Sequence, residues 1–178
     1  MTGPVLLTER LRLEPLSASH ADAFASVLTD RETMSFYPLP FDRNDVDGWI
    51  ARSDEFWAAH RYGRFAVIRR EDDRLIGDAG MMRLTVNGEE MDDIGWIIHR
   101  EFWGQGYATE AAAAVRDDVF RRLQLLAIHA NMPVEHKASR KVAERLRMRE
   151  IARFANSRNG GKETHLFRQS VGDWQRRL

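Results

Sequence analysis

Two glycines separated by one residue, Gly104 and Gly106, offer the clearest chemistry in this sequence. They follow an apolar run from Ile94 to Ile98 that predicts a buried strand, and a helical pattern begins almost immediately after them. Glycine lets backbone N–H groups approach an anion without Cβ interference, and a helix N-terminus adds unpaired donors and a favourable dipole. The spacing therefore predicts a socket for a phosphate or pyrophosphate.

Two familiar phosphate motifs fit this spacing poorly. A dinucleotide fingerprint expects a third glycine, where Thr109 stands, and an acid about 20 residues further on, where residues 129–131 read His-Ala-Asn. A Walker loop is disfavoured at Gly161-Lys162, because Glu163 follows and no glycine lies five residues before Gly161. Neither a dinucleotide nor a Walker-type nucleotide is the expected ligand.

Composition narrows the class of protein. The chain has 178 residues, enough for one domain with a substantial core, and we expect a single domain over residues 1–178. Its 27 basic and 27 acidic side chains balance, which predicts no nucleic-acid partner and no anionic membrane surface as partner. The absence of cysteine and of a long apolar run favours a soluble cytoplasmic protein, and the scattered histidines predict no metal site.

The elements that must position the glycine turn follow from periodicity. Alternation over about residues 5–16 predicts an opening strand, and helical spacing predicts two helices before residue 60. Three strands follow, with a turn at Asn87-Gly88 between the second and third. A helix over about 106–122, a strand from about Leu125, a helix through residues 138–146 and a final pair of strands complete the order. This order predicts an α/β fold with a mixed sheet covered by helices.

Several stretches together resemble one family. The segment Leu7-Thr8-Glu9-Arg10-Leu11-Arg12-Leu13, the run Phe102-Trp103-Gly104-Gln105-Gly106-Tyr107-Ala108-Thr109-Glu110-Ala111 and the helix 139–148 are similar to the GNAT superfamily of N-acetyltransferases, in its RimJ/RimL-like branch. The resemblance covers about residues 6–170. It implies a GNAT-like, mostly antiparallel central sheet that is splayed at the CoA site. It also implies an acetyl-CoA-dependent acetyltransferase, and homodimers are frequent among such relatives.

The resemblance implies an acetyl-CoA site made mainly of backbone. The pantetheine arm is expected along the freed edge of the central strand, and the pyrophosphate on the N–H groups of the glycine turn. The residues implied to contact the cofactor are Ile97, Ile98, His99, Trp103, Gly104, Gln105, Gly106, Tyr107, Ala108, Thr109, His136, Ser139 and Lys141.

Proton transfer needs groups that the sequence identifies less sharply. Ser139 stands where this branch commonly has a serine and is our candidate proton donor to the thiolate, although a helix-start serine also bonds to backbone. His136 replaces the asparagine usual three residues earlier, and Arg147 replaces the glycine that usually ends this helix. Asp92 and Asp93 are the candidate catalytic bases, and alternation places them on opposite faces of the strand.

The acceptor is predicted only as a class. The resemblance favours a primary amine, either a protein N-terminus or a small amine, with Phe36, Tyr37 and Glu90 as candidate substrate contacts. Acceptor loops vary within a fold, so small amines and amino acids remain open as acceptors. A CoA-binding sensor without turnover also remains open, because no obvious catalytic acid is present beyond Ser139.

Overall fold

The computed structural model describes residues 3–38, 41–86 and 88–176. Five helices and eight strands are the main elements. The helices are α1 (Ala21–Leu28), α2 (Arg43–His60), α3 (Tyr107–Asp118), α4 (Lys137–Arg145) and α5 (Val171–Gln175). The strands are β1 (Leu6–Leu7), β2 (Leu11–Pro15), β3 (Arg64–Arg69), β4 (Leu75–Val86), β5 (Glu89–Ile98), β6 (Ala127–Pro133), β7 (Arg149–Asn156) and β8 (Lys162–Ser170).

All eight strands form one sheet in the order β1-β2-β3-β4-β5-β6-β8-β7. Every neighbouring pair is antiparallel except β5 and β6, which run parallel. The connection explains this exception. Helix α3 carries the chain back to the end of the sheet at which β5 begins, so β6 runs in the same direction as β5. The predicted mixed, mostly antiparallel α/β fold is confirmed.

The opening strand differs from its prediction. The sequence suggested one strand over about residues 5–16, whereas β1 and β2 are two short antiparallel strands, with Leu6 opposite Leu13. The reversal is fixed at Thr8, whose N–H donates to the Leu11 carbonyl at 3.0 Å and whose hydroxyl donates to Glu110 at 2.6 Å. Local periodicity could not predict this turn, because it depends on Glu110, which is 102 residues away from Thr8 in the sequence.

Hydrophobic side chains pack on both faces of the sheet. On one face, alternate residues of β2 and β5 such as Leu11, Leu13 and Ile94 join the alanine face of α3. On the other face, Phe24 of α1 and Ile50 of α2 pack against β3. The sheet is therefore covered by helices on both sides, as α/β architecture requires.

The strand after α3 and the turn between β4 and β5 differ little from their predictions. The strand expected from about Leu125 begins at Ala127, and Leu126 before it is 80% exposed. Of the predicted Asn87-Gly88 turn, Asn87 lies outside the described residues, but β4 and β5 pair as expected and Gly88 has φ 84°. Within the described ranges, none of the helices is both long and apolar enough to cross a bilayer.

Candidate active site

The sheet opens between the two parallel strands. In the part of the chain that the structure describes, β5 and β6 are paired at one position, Asp93 opposite His129, and at no further position towards their carboxyl ends. On its other edge β5 bonds to β4 throughout, and the His99 N–H continues this ladder by donating to the Ile76 carbonyl at 2.8 Å. Since antiparallel bonding alternates, the backbone groups of Trp96 and Ile98 face the gap, whereas those of Ile97 and His99 face β4.

One side chain already uses part of this edge. The indole N–H of Trp103 donates to the Ile98 carbonyl at 2.7 Å, and Trp103 is 48% exposed. The indole therefore satisfies a carbonyl that would otherwise face the gap. The sequence suggested Trp103 and Ile98 as ligand contacts, and the structure places them together.

The glycine turn, residues 103–106, follows β5 after one short helical turn, Arg100–Phe102. Gly104 has φ 75° and Gly106 has φ 86°, a region that L side chains rarely adopt. A Cβ at Gly104 would meet no atom of the described residues within 4 Å. The positive φ, and not crowding by other protein atoms, therefore requires a glycine at position 104.

Helix α3 begins at Tyr107 without a side-chain cap. The first N–H groups of a helix have no partner within it, so those of Tyr107, Ala108 and Thr109 point out of its N-terminus beside the glycine turn. The Thr109 hydroxyl is buried and has no hydrogen-bond partner among the described residues. These unused donors suit an anion, in agreement with the dipole of α3.

An arginine far away in sequence braces the turn. Arg10 donates to the Gln105 carbonyl at 2.9 Å and to Glu110 Oε2 at 2.7 Å, and its guanidinium lies 4.4 Å from the centre of the Tyr107 ring. Sequence reasoning missed this contact because Arg10 has the pattern of a solvent-facing strand residue. Arg10 therefore holds the Gln105 carbonyl, while the Gln105 side-chain amide donates to the Glu101 carbonyl at 3.3 Å.

A cavity of about 300 Å³ adjoins the other side of the gap. We call it the β5–β6 cavity. Its wall is largely apolar. The wall is formed by the loop that follows α1, by α2 and α4, by strands β3 to β7, and by the turn between β7 and β8. Aromatic and thioether side chains on this wall include Phe36, Tyr37, Trp49, Met82, Trp96 and Met132.

Asp93 lies on the wall of the β5–β6 cavity. Its Oδ1 accepts a hydrogen bond from the Asn131 amide at 2.9 Å. Burial raises the pKa of Asp93 to about 7, although the Asn131 hydrogen bond and the charges of Arg64 and Arg158 act in the opposite direction. A carboxyl group with a pKa near neutrality can accept a proton at physiological pH and later release it.

The neighbouring acids face elsewhere. Asp92 points to the opposite face of β5, where its Oδ1 accepts hydrogen bonds from the Tyr62 hydroxyl and from Arg83 at 3.0 Å. Glu90 lies at the far end of the hairpin with an exposed side chain, 4.0 Å from Arg83. Of the three acids named from the sequence, the structure brings only Asp93 to the cavity.

A buried ion pair underlies the cavity. Arg64 donates to both carboxylate oxygens of Asp78, at 2.6 and 2.7 Å, and Trp49 donates to Asp78 at 3.0 Å. Gly95 makes room for this pair, because a Cβ there would lie 2.8 Å from the Arg64 guanidinium. No local sequence pattern indicates this pair, since its members are separated by a turn and lie on different strands.

The start of α4 holds the remaining polar pair. Ser139 Oγ lies 3.1 Å from His136 Nε2, and the Ser139 N–H donates to His136 Nδ1 at 3.4 Å. The imidazole stacks on Phe36 with ring centres 3.8 Å apart, and burial lowers the pKa of His136 to about 4. A neutral ring whose Nδ1 accepts must carry its proton on Nε2, so His136 donates to Ser139 and leaves the serine O–H available.

The remaining predicted residue lies apart from these groups. Lys141 is exposed on α4 and does not line the β5–β6 cavity. Among residues 3–38, 41–86 and 88–176, no group of three or more His, Cys, Asp or Glu side chains could hold a metal ion.

Comparison with known proteins identifies the family. Residues 10–149 match the family described as the acetyltransferase (GNAT) domain, and the chain belongs to that family. It is an acetyltransferase by this membership, and its structural neighbours include ribosomal-protein acetyltransferases.

Individual proteins that are similar to this chain are acetyltransferases by their names. The N-acetyltransferase p20 of Bacillus licheniformis is 30% identical over 144 residues, which cover 79% of this chain and 80% of p20. A GnaT-family acetyltransferase from Bordetella pertussis superposes with a TM-score of 0.82 at 22% identity, over 94% of this chain and 99% of that one. RimL, described as a ribosomal L7/L12 α-N-protein acetyltransferase in complex with coenzyme A, has a TM-score of 0.80 at 14% identity, over 96% and 99% of the two chains. The two structures support the fold alone.

Proposed function

We propose that this protein transfers the acetyl group of acetyl-CoA to a primary amine, by direct attack of the amine on the thioester. The observation that carries the proposal is the position of Asp93. This carboxyl group, with a pKa of about 7, lines a cavity that reaches the gap between β5 and β6. The unpaired N-terminus of α3 lies beyond the end of the same strand.

The residues around the gap fit acetyl-CoA as a substrate. Its pyrophosphate matches the free N–H groups of the glycine turn and of α3, where the positive helix end favours an anion. Its pantetheine arm carries amides that can pair with the Trp96 and Ile98 backbone, and the bond from Trp103 to Ile98 gives way to one of them. In this placement the thioester lies near Ser139, which also lines the cavity.

Asp93 is the proposed general base. The α-ammonium group of a peptide has a pKa of about 7.7–8.0, close to that of Asp93, and the pKa of the α-ammonium group of a free amino acid lies between this value and that of lysine. Proton transfer from either α-ammonium group to Asp93 therefore costs less free energy than transfer from a lysine. A lysine ammonium, with a pKa near 10.4, is harder to deprotonate here. This match favours an α-amine as the acceptor, which is also the group that the name of RimL specifies for that protein.

Ser139 is the proposed proton donor to sulfur. The new C–N bond forms as the C–S bond breaks, and the carbonyl oxygen is stabilised by a backbone N–H at the open edge of β5. The ammonium loses two protons in total. One leaves through Asp93 to solvent, and the other is delivered to the thiolate through the Ser139 hydroxyl, which His136 holds in place.

The first experiment follows thiol release from acetyl-CoA with a panel of N-terminal peptides, amino acids and polyamines. We expect release with α-amines and little with polyamines. Calorimetry on the same preparation measures acetyl-CoA binding. Binding without release for any amine would overturn the transfer reaction, and absence of binding would overturn the assignment of the glycine turn.

A further inference from the structure

Two opposite charges face the β5–β6 cavity. One belongs to Asp93, and the other to Arg158 on the short helical turn between β7 and β8. Arg158 has no carboxylate within ion-pair distance among the described residues, whereas Arg64 and Arg69 of β3 and Arg83 of β4 each have one. The third charged side chain of the wall, Arg64, is already neutralised by both oxygens of Asp78.

The turn is built to hold Arg158 at this position. Asn156 Oδ1 accepts from the Arg158 N–H at 3.1 Å and so caps the helical turn. Gly160 and Gly161, with φ 62° and 77°, return the chain into β8. Asn159 is 9% exposed on the cavity wall, and its side-chain oxygen has no hydrogen-bond partner in the described part of the chain. The turn thus presents a cation and an unused amide to the cavity.

The rest of the wall suits an apolar group of limited size. Tyr37, Trp49, Met82 and Leu84 contribute aromatic and aliphatic surface. A volume of about 300 Å³ is at the small end for ligand pockets, large enough for one amino-acid side chain with its backbone atoms. Apolar surface of this kind favours a hydrophobic group by removing it from water.

We propose that the acceptor is a free α-amino acid with a large apolar side chain, recognised as a zwitterion by Asp93 and Arg158. This inference rests on the proposed function and names its substrate class. The α-amine binds at Asp93, the carboxylate binds Arg158, and the side chain lies among the aromatic residues. A peptide N-terminus offers a neutral amide where the carboxylate would be, and leaves Arg158 without a partner.

The test compares phenylalanine, leucine and methionine with their amides and with peptides that begin with the same residues. Thiol release gives kcat/KM for each. We expect the free amino acids to exceed their amides by about 10-fold or more, which is the scale of one lost charge-assisted hydrogen bond. Equal values for acid and amide in the wild-type protein would overturn the inference.

Arg158→Gln then tests the residue itself. We expect this variant to raise KM for the amino acid about 10-fold while KM for the amide stays constant, and Arg158→Lys to recover part of the loss. Arg153→Gln is the matched control, since it removes the same charge from the same hairpin but does not line the cavity. If Arg158→Gln lowered kcat/KM equally for the amino acid and for its amide, Arg158 would have only a structural role.

The outcomes separate the two proposals. If amides or peptides are acetylated and free amino acids are not, the transfer reaction stands and the zwitterion inference falls. If no amine of any kind releases thiol while acetyl-CoA binds, the proposed function itself falls.

Discussion

The glycine turn and the β5–β6 cavity both adjoin β5, but they are constructed differently. The glycine turn is one continuous stretch, and its donors are backbone N–H groups that any sequence with glycines at 104 and 106 can present. The cavity is lined by side chains spread from residue 36 to residue 159. A backbone socket can stay constant while side chains around a cavity change, so we expect the first region to determine cofactor binding and the second the choice of acceptor.

Asp93→Asn has the largest expected effect and tests the cavity half of this comparison. Without a base, kcat should fall about 10²- to 10⁴-fold, the usual contribution of general base catalysis. A base works only when deprotonated, so the wild-type rate should rise with pH and level off above about pH 7, following the raised pKa of Asp93. Rates measured from pH 5 to 9 provide the check, and a variant with wild-type rates would remove Asp93 from the mechanism.

Gly106→Val tests the glycine-turn half. A β-branched residue resists φ 86°, so the turn should rearrange and its N–H groups should leave the anion. We expect the Kd for acetyl-CoA to rise about 100-fold, equivalent to about 2.7 kcal/mol, by calorimetry. Gly88→Val is the control, because Gly88 has a similar φ of 84° with open space around it but lies in a distant hairpin. Equal loss of binding in both variants would indicate general unfolding.

Ser139→Ala examines the place where the two regions meet. Removing the hydroxyl should lower kcat about 10-fold with little change in KM for either substrate, since the thiolate loses its proton donor. His136→Asn, which keeps a side-chain donor, should retain more activity than His136→Ala. If Ser139→Ala kept wild-type rates, Ser139 would not be the proton donor and would only cap the helix.

Arg147→Gly has the smallest effect and concerns stability only. Arg147 has φ 61° after α4, where Met148 donates to the Ala143 carbonyl at 3.0 Å and Arg147 to that of Glu144 at 2.9 Å. This is a Schellman motif with a non-glycine residue in its left-handed position. Glycine should raise the free energy of unfolding by about 1 kcal/mol in denaturant titrations, whereas Arg145→Gly inside the helix should lower it by a similar amount. A loss of stability in Arg147→Gly would contradict this account.

The same contrast explains what could be predicted from the sequence. The strand, the glycine turn and the helix around Gly104 and Gly106 are consecutive in the sequence, so this part of the site could be predicted. The order of the main elements could also be predicted, because it follows from periodicity. Alternation places Asp92 and Asp93 on opposite faces of β5, but cannot say which face meets the cavity. That depends on where α1 and α2 pack.

The parts that sequence reasoning missed depend on long-range contacts. Three features bring together residues from different elements. They are the hydrogen bond from Arg10 to Gln105, the Arg64–Asp78 ion pair and the placement of Arg158 on the cavity wall. In sequence each of these arginines resembles an ordinary surface cation. Even the turn between β1 and β2 depends on Glu110, which no local pattern near Thr8 reveals.

The central claim is that cofactor binding and acceptor chemistry belong to separate regions. The most direct test measures thiol release against acetyl-CoA concentration for Gly106→Val and Asp93→Asn under the same conditions. We predict that Gly106→Val raises KM for acetyl-CoA and approaches wild-type kcat at saturation, whereas Asp93→Asn lowers kcat and leaves that KM within about two-fold. Loss of kcat in both variants with unchanged KM, or loss of acetyl-CoA affinity in Asp93→Asn, would contradict the account.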